Sequence, residues 1–220
     1  MRIAVLGLED FGFHLACTLN ELGDEVMAVD RNENRVQEIM RYVNKAVVAD
    51  VADREALKDL GIRSMEVVAV DVGERFETSV LLTHYLRELG IPRVLVKAAN
   101  ADQAKILTLI GASDVMQPER EIAIKTAHLI HYSRSKLLDA VALGDGYFTL
   151  TLRAPPGFVG RRIEELELLN RYHARLLAIK PAAEKTAPFV PDATYLLAQN
   201  DVLVVMGEEA KLIEIHQKLK

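Results

Sequence analysis

The segment LGLEDFG, residues 6–12, contains the residues best suited to hold a phosphate group. In a dinucleotide-binding loop of pattern G-x-G-x-x-G, the first glycine makes a tight turn and the second lets the backbone approach the pyrophosphate. The third lets the helix pack close to the strand. Gly7 and Gly12 keep the first and third positions, whereas Glu9 replaces the second glycine and Asp10 follows it. The loop therefore predicts a nucleotide site that keeps its turn but carries unusual negative charge.

Acidic and basic residues at later strand ends extend this candidate site. Asp30 ends a predicted strand about 20 residues beyond the loop, where a carboxylate accepts hydrogen bonds from a ribose; the alternative for Asp30 is a helix N-cap. Lys97 ends the fifth predicted strand and is interpreted either as a phosphate contact or as a surface cation. Open α/β sheets bind ligands at the carboxyl ends of their strands. The full set of predicted nucleotide contacts is Gly7, Leu8, Glu9, Asp10, Phe11, Asp30, Arg31, Asp50, Val51, Val72, Gly73 and Lys97.

Alternating strand and helix patterns must position these residues. Predicted strands are Arg2–Leu6, Glu25–Val29, Ala46–Ala49, Val67–Val72, Arg93–Lys97 and Asp114–Met116. Predicted helices between them are Gly12–Leu22, Glu33–Tyr42, Arg54–Leu60, Arg75–Leu89 and Asp102–Ile110. Repeated βα units with apolar strands predict a Rossmann-type doubly wound fold of the α/β class, with a parallel sheet covered by helices on both faces.

The pattern changes after this region. Pro118 opens a predicted helix, Glu119–Tyr132, whose apolar residues cover more than one face, so we expect it to pack against a partner as well as its own sheet. The segment SRSK (133–136) predicts a junction between a domain of residues 1–134 and a small α+β lobe of residues 135–220. The lobe's predicted strands and helices are Leu137–Leu143, Tyr147–Leu152, Ile163–Leu168 (helix), Leu176–Ile179, Val202–Val205 and Glu208–Leu219 (helix).

Composition excludes several classes of protein. The 220 residues carry a net charge of −5, and half of them are hydrophobic. No stretch approaches the roughly 20 apolar residues of a membrane span, and the start MRIAVLG is too short for a signal peptide, so a cytoplasmic protein without membrane insertion is expected. The absence of a basic stripe argues against nucleic-acid binding. Cys17 is the single cysteine, which excludes an internal disulfide and a cysteine-based zinc site.

An ordered set of motifs resembles the RCK family (regulators of K⁺ conductance), in particular the cytosolic Ktr/Trk-type subunits of potassium uptake systems, which contain TrkA-N and TrkA-C domains. GLEDFG stands where that family usually has G-x-G-R-F-G. Further similar segments are VMAVDRNENRV, VVADVADREALKDLGI, VLVKAAN, ILTLIGASDVMQPERE and VPDATYLLAQNDVLVVMG. The similarity covers nearly the whole chain, although no single motif is decisive.

The resemblance implies an adenine-nucleotide-binding N-lobe, a homodimer, an octameric ring and a membrane K⁺ translocating subunit that the ring gates. It would place the protein in the cytoplasm, at the inner face of the membrane. By matching position, Gly7, Asp30, Asp50 and Lys97 inherit nucleotide contacts. Glu119 matches an acidic residue that binds a divalent cation at the dimer interface in some relatives; a helix N-terminal carboxylate is the alternative. Leu169 replaces an arginine that binds cyclic di-AMP in some relatives, so that ligand is not carried over.

The charge of the loop indicates which nucleotide is preferred. Glu9 and Asp10 stand where relatives have a glycine and a phosphate-contacting arginine, so AMP or NAD(H) is expected above ATP when no metal is present. ADP and ATP would stay competitive if the two carboxylates pointed to solvent, or if Mg²⁺ bridged them to the phosphates.

Two other functions stay open at this point: an NAD(P)-dependent oxidoreductase and a free-standing nucleotide sensor. The sequence contains no persuasive nucleophile–base pair, and in the C-terminal lobe His173 is the one obvious proton donor, so a non-enzymatic regulator is favoured. His128 and His131 lie one helical turn apart without an evident third metal ligand, which favours a surface or interface role.

Overall fold

A computed structural model of the protein describes residues 1–131, 137–182 and 187–217. These residues belong to two units, Met1–Glu121 and Ile122–Lys220. The junction predicted at residues 133–136, and with it the domain boundary between 134 and 135, lies outside the described residues. The division between the two compact units falls within a helix that begins at Pro118, and the predicted domain boundary stays a prediction.

The first unit contains a six-stranded sheet in which every neighbouring pair is parallel. Its strands are β1 (Arg2–Leu6), β2 (Glu25–Asp30), β3 (Lys45–Val48), β4 (Val67–Val70), β5 (Arg93–Lys97) and β6 (Asp114–Met116). The helices are α1 (Asp10–Glu21), α2 (Glu33–Ile39), α3 (Arg54–Asp59), α4 (Phe76–Glu88), α5 (Ala101–Ile110) and α6 (Pro118–His131), the last of which continues into the second unit. The predicted doubly wound Rossmann-type fold is confirmed.

Strand β1 lies at the centre of this sheet and is buried on both faces. Its residues alternate between two apolar cores: Leu6 packs in one with Leu86, whereas Val5 packs in the other with Ala16 and Val36. Because side chains of a strand alternate between faces, burial of both faces requires the unbroken apolar run that the sequence shows.

The order β3-β2-β1-β4-β5-β6 reverses direction at β1. The chain builds outward on one side through β2 and β3 and then crosses to place β4 on the other side of β1. In open α/β sheets such a switch point leaves a crevice at the carboxyl ends of the two central strands. The loop after β1 and the loop after β4 therefore flank the crevice in which we expect a ligand.

In the first unit, two helix boundaries differ from prediction by two residues or more, each for a local reason. Helix α1 begins at Asp10 rather than Gly12, because Glu9 is extended and its carbonyl accepts the first helical hydrogen bond, from Phe13 N–H at 2.8 Å. Helix α2 ends at Ile39 rather than Tyr42, which closes a turn by donating to the Ile39 carbonyl.

The second unit contains an antiparallel sheet of order β7-β8-β10-β9, with strands β7 (Leu137–Gly144), β8 (Tyr147–Arg153), β9 (Arg175–Lys180) and β10 (Val202–Glu208). Its helices are α7 (Leu168–Tyr172) and α8 (Glu209–Gln217). The predicted α+β lobe is confirmed. The helix predicted at Ile163–Leu168 is replaced by a 3₁₀ turn, Glu164–Leu166, followed by α7, because Glu167 between them adopts a left-handed conformation with φ of 46°.

Asp201 is the buried polar centre of this second unit. One of its carboxylate oxygens accepts from Ala182 N–H at 3.0 Å, and the other accepts from the Tyr195 hydroxyl at 3.0 Å and from Ala198 N–H at 2.9 Å. A buried carboxylate is tolerated when its hydrogen bonds are made, so Asp201 ties the connection before β10 to the end of β9.

Candidate functional site

Two glycines bring the loop after β1 against the end of β4. Gly7 has φ of +96°, and a Cβ at this position would lie 1.9 Å from the Asp71 carbonyl oxygen. A Cβ at Gly12 would lie 2.3 Å from the Gly7 carbonyl oxygen. Neither position can accept a side chain without moving backbone, which is the physical reason for the glycines that the sequence pattern singled out.

Two backbone amides of this loop are held by carboxylates from neighbouring strands. Leu8 N–H donates to Asp30 Oδ2 at 2.6 Å, and Gly12 N–H donates to Asp71 Oδ2 at 2.8 Å. The N–H groups of Asp10 and Phe11 lie in the first turn of α1, where no carbonyl of the helix can accept from them. These first-turn amides and the helix dipole form a place suited to an anion.

Asp30 lies at the end of β2, and Asn32, not Asp30, is the N-cap of α2, since its side chain accepts from Asn34 N–H. The second Asp30 oxygen accepts from Asn32 N–H at 2.7 Å. Each carboxylate oxygen has two lone pairs, so both Asp30 oxygens keep capacity for a further hydrogen bond. The neighbouring Arg31 is exposed. Asp30 thus has a role that the sequence did not predict, which is to hold the β1 loop against β2.

Asp10 forms an ion pair with Arg35 of α2, with 2.8 Å between Asp10 Oδ1 and Arg35 Nη2. The Asp10 side chain is 87% exposed, and its hydrogen bond raises the pKa of the Arg35 guanidinium above its ordinary value. The structure therefore pairs one of the two loop carboxylates with a cation, which reduces its repulsion of a phosphate.

Lys97, at the end of β5, lies among carboxylates. Its Nζ is 2.7 Å from Glu119 Oε1 on α6 and 3.8 Å from Asp71 Oδ1. Burial lowers the pKa of the Lys97 ammonium, but the hydrogen bond to Glu119 and the charges of Asp71, Glu119 and Glu9 raise the pKa by more, so that it lies above its ordinary value. Lys97 is a partly buried member of the crevice and not an isolated surface cation.

The Lys97–Glu119 contact also lowers the pKa of the Glu119 carboxyl. Among the described residues, no group of three or more His, Cys, Asp or Glu side chains is arranged to hold a metal ion. The divalent cation predicted at Glu119 and its symmetry mate stays a prediction, and it would require Lys97 to release that carboxylate. The side chains of His128 and His131 lie outside the described part of the chain.

Asp71 is a residue of the crevice that was absent from the predicted set of contacts. It is 2% exposed and follows directly on the apolar run VVAV of β4, so the prediction included it within a buried strand, Val67–Val72. The strand ends at Val70, and Asp71 turns into the crevice. A single charged residue inside an apolar strand pattern was the signal that could have identified it, because an ionised group is rarely buried without a partner.

The remaining predicted contacts lie on the loops after β3 and β4. Asp50 is exposed and accepts from Ala52 N–H at 3.0 Å, and Val51 is buried. Val72 is buried, and Gly73 has φ of +65° with the Glu9 side chain beside it. A small cavity of about 70 Å³ opens next to the β3 loop, lined by Val51, Ala52, Arg54, Thr78, Leu81, Leu82 and Tyr85.

Comparison with known proteins identifies the family. Residues 3–118, which contain the whole crevice except Glu119, match the TrkA-N domain, and residues 148–220 match the TrkA-C domain. This chain belongs to the TrkA family. The resemblance inferred from the motifs is thereby confirmed.

Two relatives of this TrkA-family chain come from Bacillus subtilis (strain 168). Ktr system potassium uptake protein C is 33% identical over 99% of this chain and 97% of the relative. Ktr system potassium uptake protein A is 34% identical over 94% of this chain and 92% of the relative.

A solved structure titled GsuK channel bound to NAD aligns with a TM-score of 0.52 and 21% identity, over 99% of this chain and 38% of that chain. This chain therefore spans well under half of the GsuK chain, and at this identity the likeness shows the fold alone. No helix among the described residues of the TrkA-family chain has the length and apolar character needed to cross a bilayer.

The glycine geometry of the TrkA-N domain gives a first prediction. Gly7→Ala should lower the free energy of unfolding by about 3 kcal/mol or more, because the new Cβ would overlap the Asp71 carbonyl oxygen and would also occupy a left-handed conformation. Gly23→Ala is the matched control, since Gly23 also has a positive φ of +92° but nothing lies within 4 Å of its Cβ position. It should cost about 1 kcal/mol. Urea unfolding measures both, and equal losses would contradict the close approach.

Proposed function

We propose that this chain is a nucleotide-binding regulatory subunit of a membrane potassium transporter. The observation that carries the proposal is full-length similarity, in both domains, to proteins named for Ktr potassium uptake. The crevice between β1 and β4 supports it, because a regulatory subunit needs a ligand site whose occupancy can be read by the rest of the chain. A non-enzymatic role is part of this proposal, and the alternative of hydride transfer would require a proton donor beside the ligand.

The ligand that fits the crevice is an adenine nucleotide. A phosphate at the first turn of α1 would accept hydrogen bonds from the backbone N–H groups of Asp10 and Phe11, and it would lie near the Lys97 ammonium. A ribose at the end of β2 would donate to the unused lone pairs of Asp30. The base would then lie along the β3 loop, near Asp50 and Val51. Support for this arrangement comes from the strand ends themselves, which are the positions at which doubly wound sheets bind nucleotides.

Local charge favours a nucleotide with few phosphate charges. The Lys97 ammonium is surrounded by Glu9, Asp71 and Glu119, all of which raise its pKa. A carboxylate about 4 Å from a phosphate charge opposes binding by about 1 kcal/mol in water and by about 4 kcal/mol at an effective dielectric constant near 20. We therefore infer that AMP or NAD(H) binds in preference to ADP or ATP without metal, and that a divalent cation would improve the binding of ATP.

The assembly is inferred from helix α6 and from the family. Ile122 and Ile124 on this helix are 62% and 46% exposed, in a helix that carries apolar residues on more than one face. Large apolar side chains left exposed on more than one face of a helix favour contact with a partner. We therefore propose a homodimer through α6 and a ring of such dimers, with eight subunits as the family resemblance implies. The ring would dock on the cytoplasmic face of the membrane through the potassium-translocating subunit.

The test of this function is reconstitution with a membrane partner. The chain should co-purify with the potassium-translocating subunit of a Ktr system from detergent-solubilised membranes. It should also restore potassium uptake, measured as growth at low potassium, to cells that lack their own regulatory subunit. Ile124→Glu should reduce both co-purification and potassium uptake, because it would disrupt the proposed dimer contact through α6. Glu121→Gln, one turn earlier on the same helix, should reduce neither. Failure of the wild-type chain to associate would contradict the proposal.

Asp30 provides a test of the ribose position. Asp30→Ala should weaken AMP, NAD⁺ and ATP alike, by about 1 to 3 kcal/mol, because each would lose a hydrogen bond to a charged acceptor. Isothermal calorimetry measures the change, and thermal unfolding checks that the β1 loop survives loss of the Leu8 bond. Asp192→Ala is the control, since Asp192 accepts the same kind of turn bond, from Thr194 N–H, in the other unit. If a folded Asp30→Ala variant kept the wild-type nucleotide affinities, the assignment of Asp30 to the ribose would be wrong.

The two loop carboxylates are expected to differ in effect. In EDTA, Glu9→Gln should strengthen ATP binding more than AMP binding, by about tenfold, or 1.4 kcal/mol, for ATP. Asp10→Asn should change ATP affinity less, because Arg35 already pairs with Asp10. Each variant removes one negative charge, so calorimetry on the two compares the effects of equal changes in charge. A wild-type protein that already prefers ATP in EDTA, with no gain in either variant, would show that these carboxylates do not select among nucleotides.

A further inference from the structure

Asp71 has one carboxylate oxygen that the described structure leaves unused. Its Oδ2 accepts from Gly12 N–H at 2.8 Å, whereas its buried Oδ1 has no hydrogen-bond partner among the described residues. The side chain is 3% exposed. The one cationic neighbour of Oδ1 among the described residues is Lys97 Nζ at 3.8 Å, and a buried charged oxygen that accepts no hydrogen bond is costly. Asp71 Oδ1 is therefore an acceptor to which a donor can move.

The nearest cation is the Lys97 ammonium, which currently bonds elsewhere. The distance from Lys97 Nζ to Asp71 Oδ1 is 3.8 Å, beyond hydrogen-bond range, whereas the distance to Glu119 Oε1 is 2.7 Å. The Glu119 side chain is 68% exposed. Lys97 thus donates a hydrogen bond to the exposed carboxylate of Glu119 and not to the buried carboxylate of Asp71. A movement of the Lys97 Nζ atom by about 1 Å would bring it within hydrogen-bond range of Asp71 Oδ1.

Lys97 also faces the place where a phosphate would bind. Its Nζ lies 6.0 Å from the centre of the Phe11 ring, and Phe11 belongs to the first turn of α1. The same turn contains Gly12, whose N–H is held by Asp71, so a phosphate there would add negative charge close to Asp71 and Lys97. The attraction between Lys97 and Glu119 acts against this pull. It is weakened by solvent and salt, because Glu119 is exposed.

We propose that Lys97 exchanges partners when a nucleotide binds, leaving Glu119 for Asp71 Oδ1 and the phosphate. Asp71 and Glu119 are then positioning residues that act on the ligand through Lys97. This inference rests on the proposed function, because it describes how occupancy of that nucleotide site is passed to the rest of the chain.

The exchange reaches the second unit through α6. Glu119 lies in the first turn of α6, and the boundary between the two units falls two residues later, after Glu121. Release of Glu119 therefore changes the bond that holds α6 to β5 at the point where the chain leaves the first unit. A ligand shifts a conformation only by its difference in affinity between the two states. Here that difference would be the contact between the phosphate and the released Lys97, which must offset the loss of the Lys97–Glu119 bond.

Reciprocity makes the proposal measurable. If nucleotide binding breaks the Lys97–Glu119 bond, then removing that bond in advance must strengthen nucleotide binding. Glu119→Gln keeps the size of the side chain and removes its charge. In EDTA it should tighten AMP binding about threefold to fivefold, the range expected for one exposed ion pair. Glu121→Gln carries the same charge change on the same helix turn and should leave AMP affinity within twofold of wild type.

A double-mutant cycle separates the exchange from simple repulsion between Glu119 and the phosphate. In a Lys97→Met background, Glu119→Gln should no longer improve AMP binding, because no ammonium is left to be released. An equal gain in both backgrounds would mean that Glu119 repels the phosphate directly, and it would overturn the proposal. So would an effect of Glu119→Gln that requires added Ca²⁺ or Mg²⁺, since that result would assign Glu119 to a metal.

Hydrogen exchange gives a second readout that does not depend on affinity. AMP should increase exchange of backbone amides in residues 118–124 of the wild-type chain, and it should have no such effect in Glu119→Gln. Unchanged exchange at α6 in a wild-type chain that binds AMP would overturn the proposed exchange while leaving the proposed function intact. If no variant binds any adenine nucleotide, the nucleotide-binding part of the proposed function fails first, and the partner exchange fails with it.

Discussion

The close passage of the β1 loop over the end of β4 is the constraint on which the crevice depends. Gly7 lies so near the Asp71 carbonyl that no side chain fits between them, and the Asp71 carboxylate then reaches the Gly12 amide across the same gap. Together these contacts fix where α1 begins and which of its amides face outward. The proposed anion site at the start of α1 follows from that one approach, and the proposed ribose position at Asp30 lies against the same loop.

The charges around the crevice are distributed so that few of them act alone. Asp10 is paired with Arg35 and Glu119 with Lys97, while Asp30 uses both of its oxygens on backbone amides. Glu9 forms no ion pair among the described residues, and Asp71 Oδ1 meets Lys97 Nζ only at 3.8 Å. Selection among nucleotides by charge therefore depends on Glu9 and on Lys97 more than on the number of acidic residues in the loop.

The sequence predicted those features that depend on local periodicity and on position along a strand. The six parallel strands, the two glycines of the loop and the location of Asp30 at the end of β2 were all available from patterns within about ten residues. The pairing of the charged groups was not, because Asp10 and Arg35 are separated by 25 residues and Gly12 and Asp71 by 59. Such partners are set by how the loops fold over the sheet, and Asp71 was hidden further by the apolar residues on both sides of it. The break at Glu167 was missed because nothing in its residue type indicates a left-handed conformation.

The bond from Leu8 to Asp30 has a consequence for the free energy of the proposed nucleotide binding. Because the loop is already held at both ends in the described structure, the proposed nucleotide would meet a pre-organised loop and would not have to order its backbone on binding. Pre-organisation of this loop lowers the entropic cost of association. Little binding free energy would then be lost to ordering the β1 loop, and more of it would remain available for the exchange of partners proposed at Lys97.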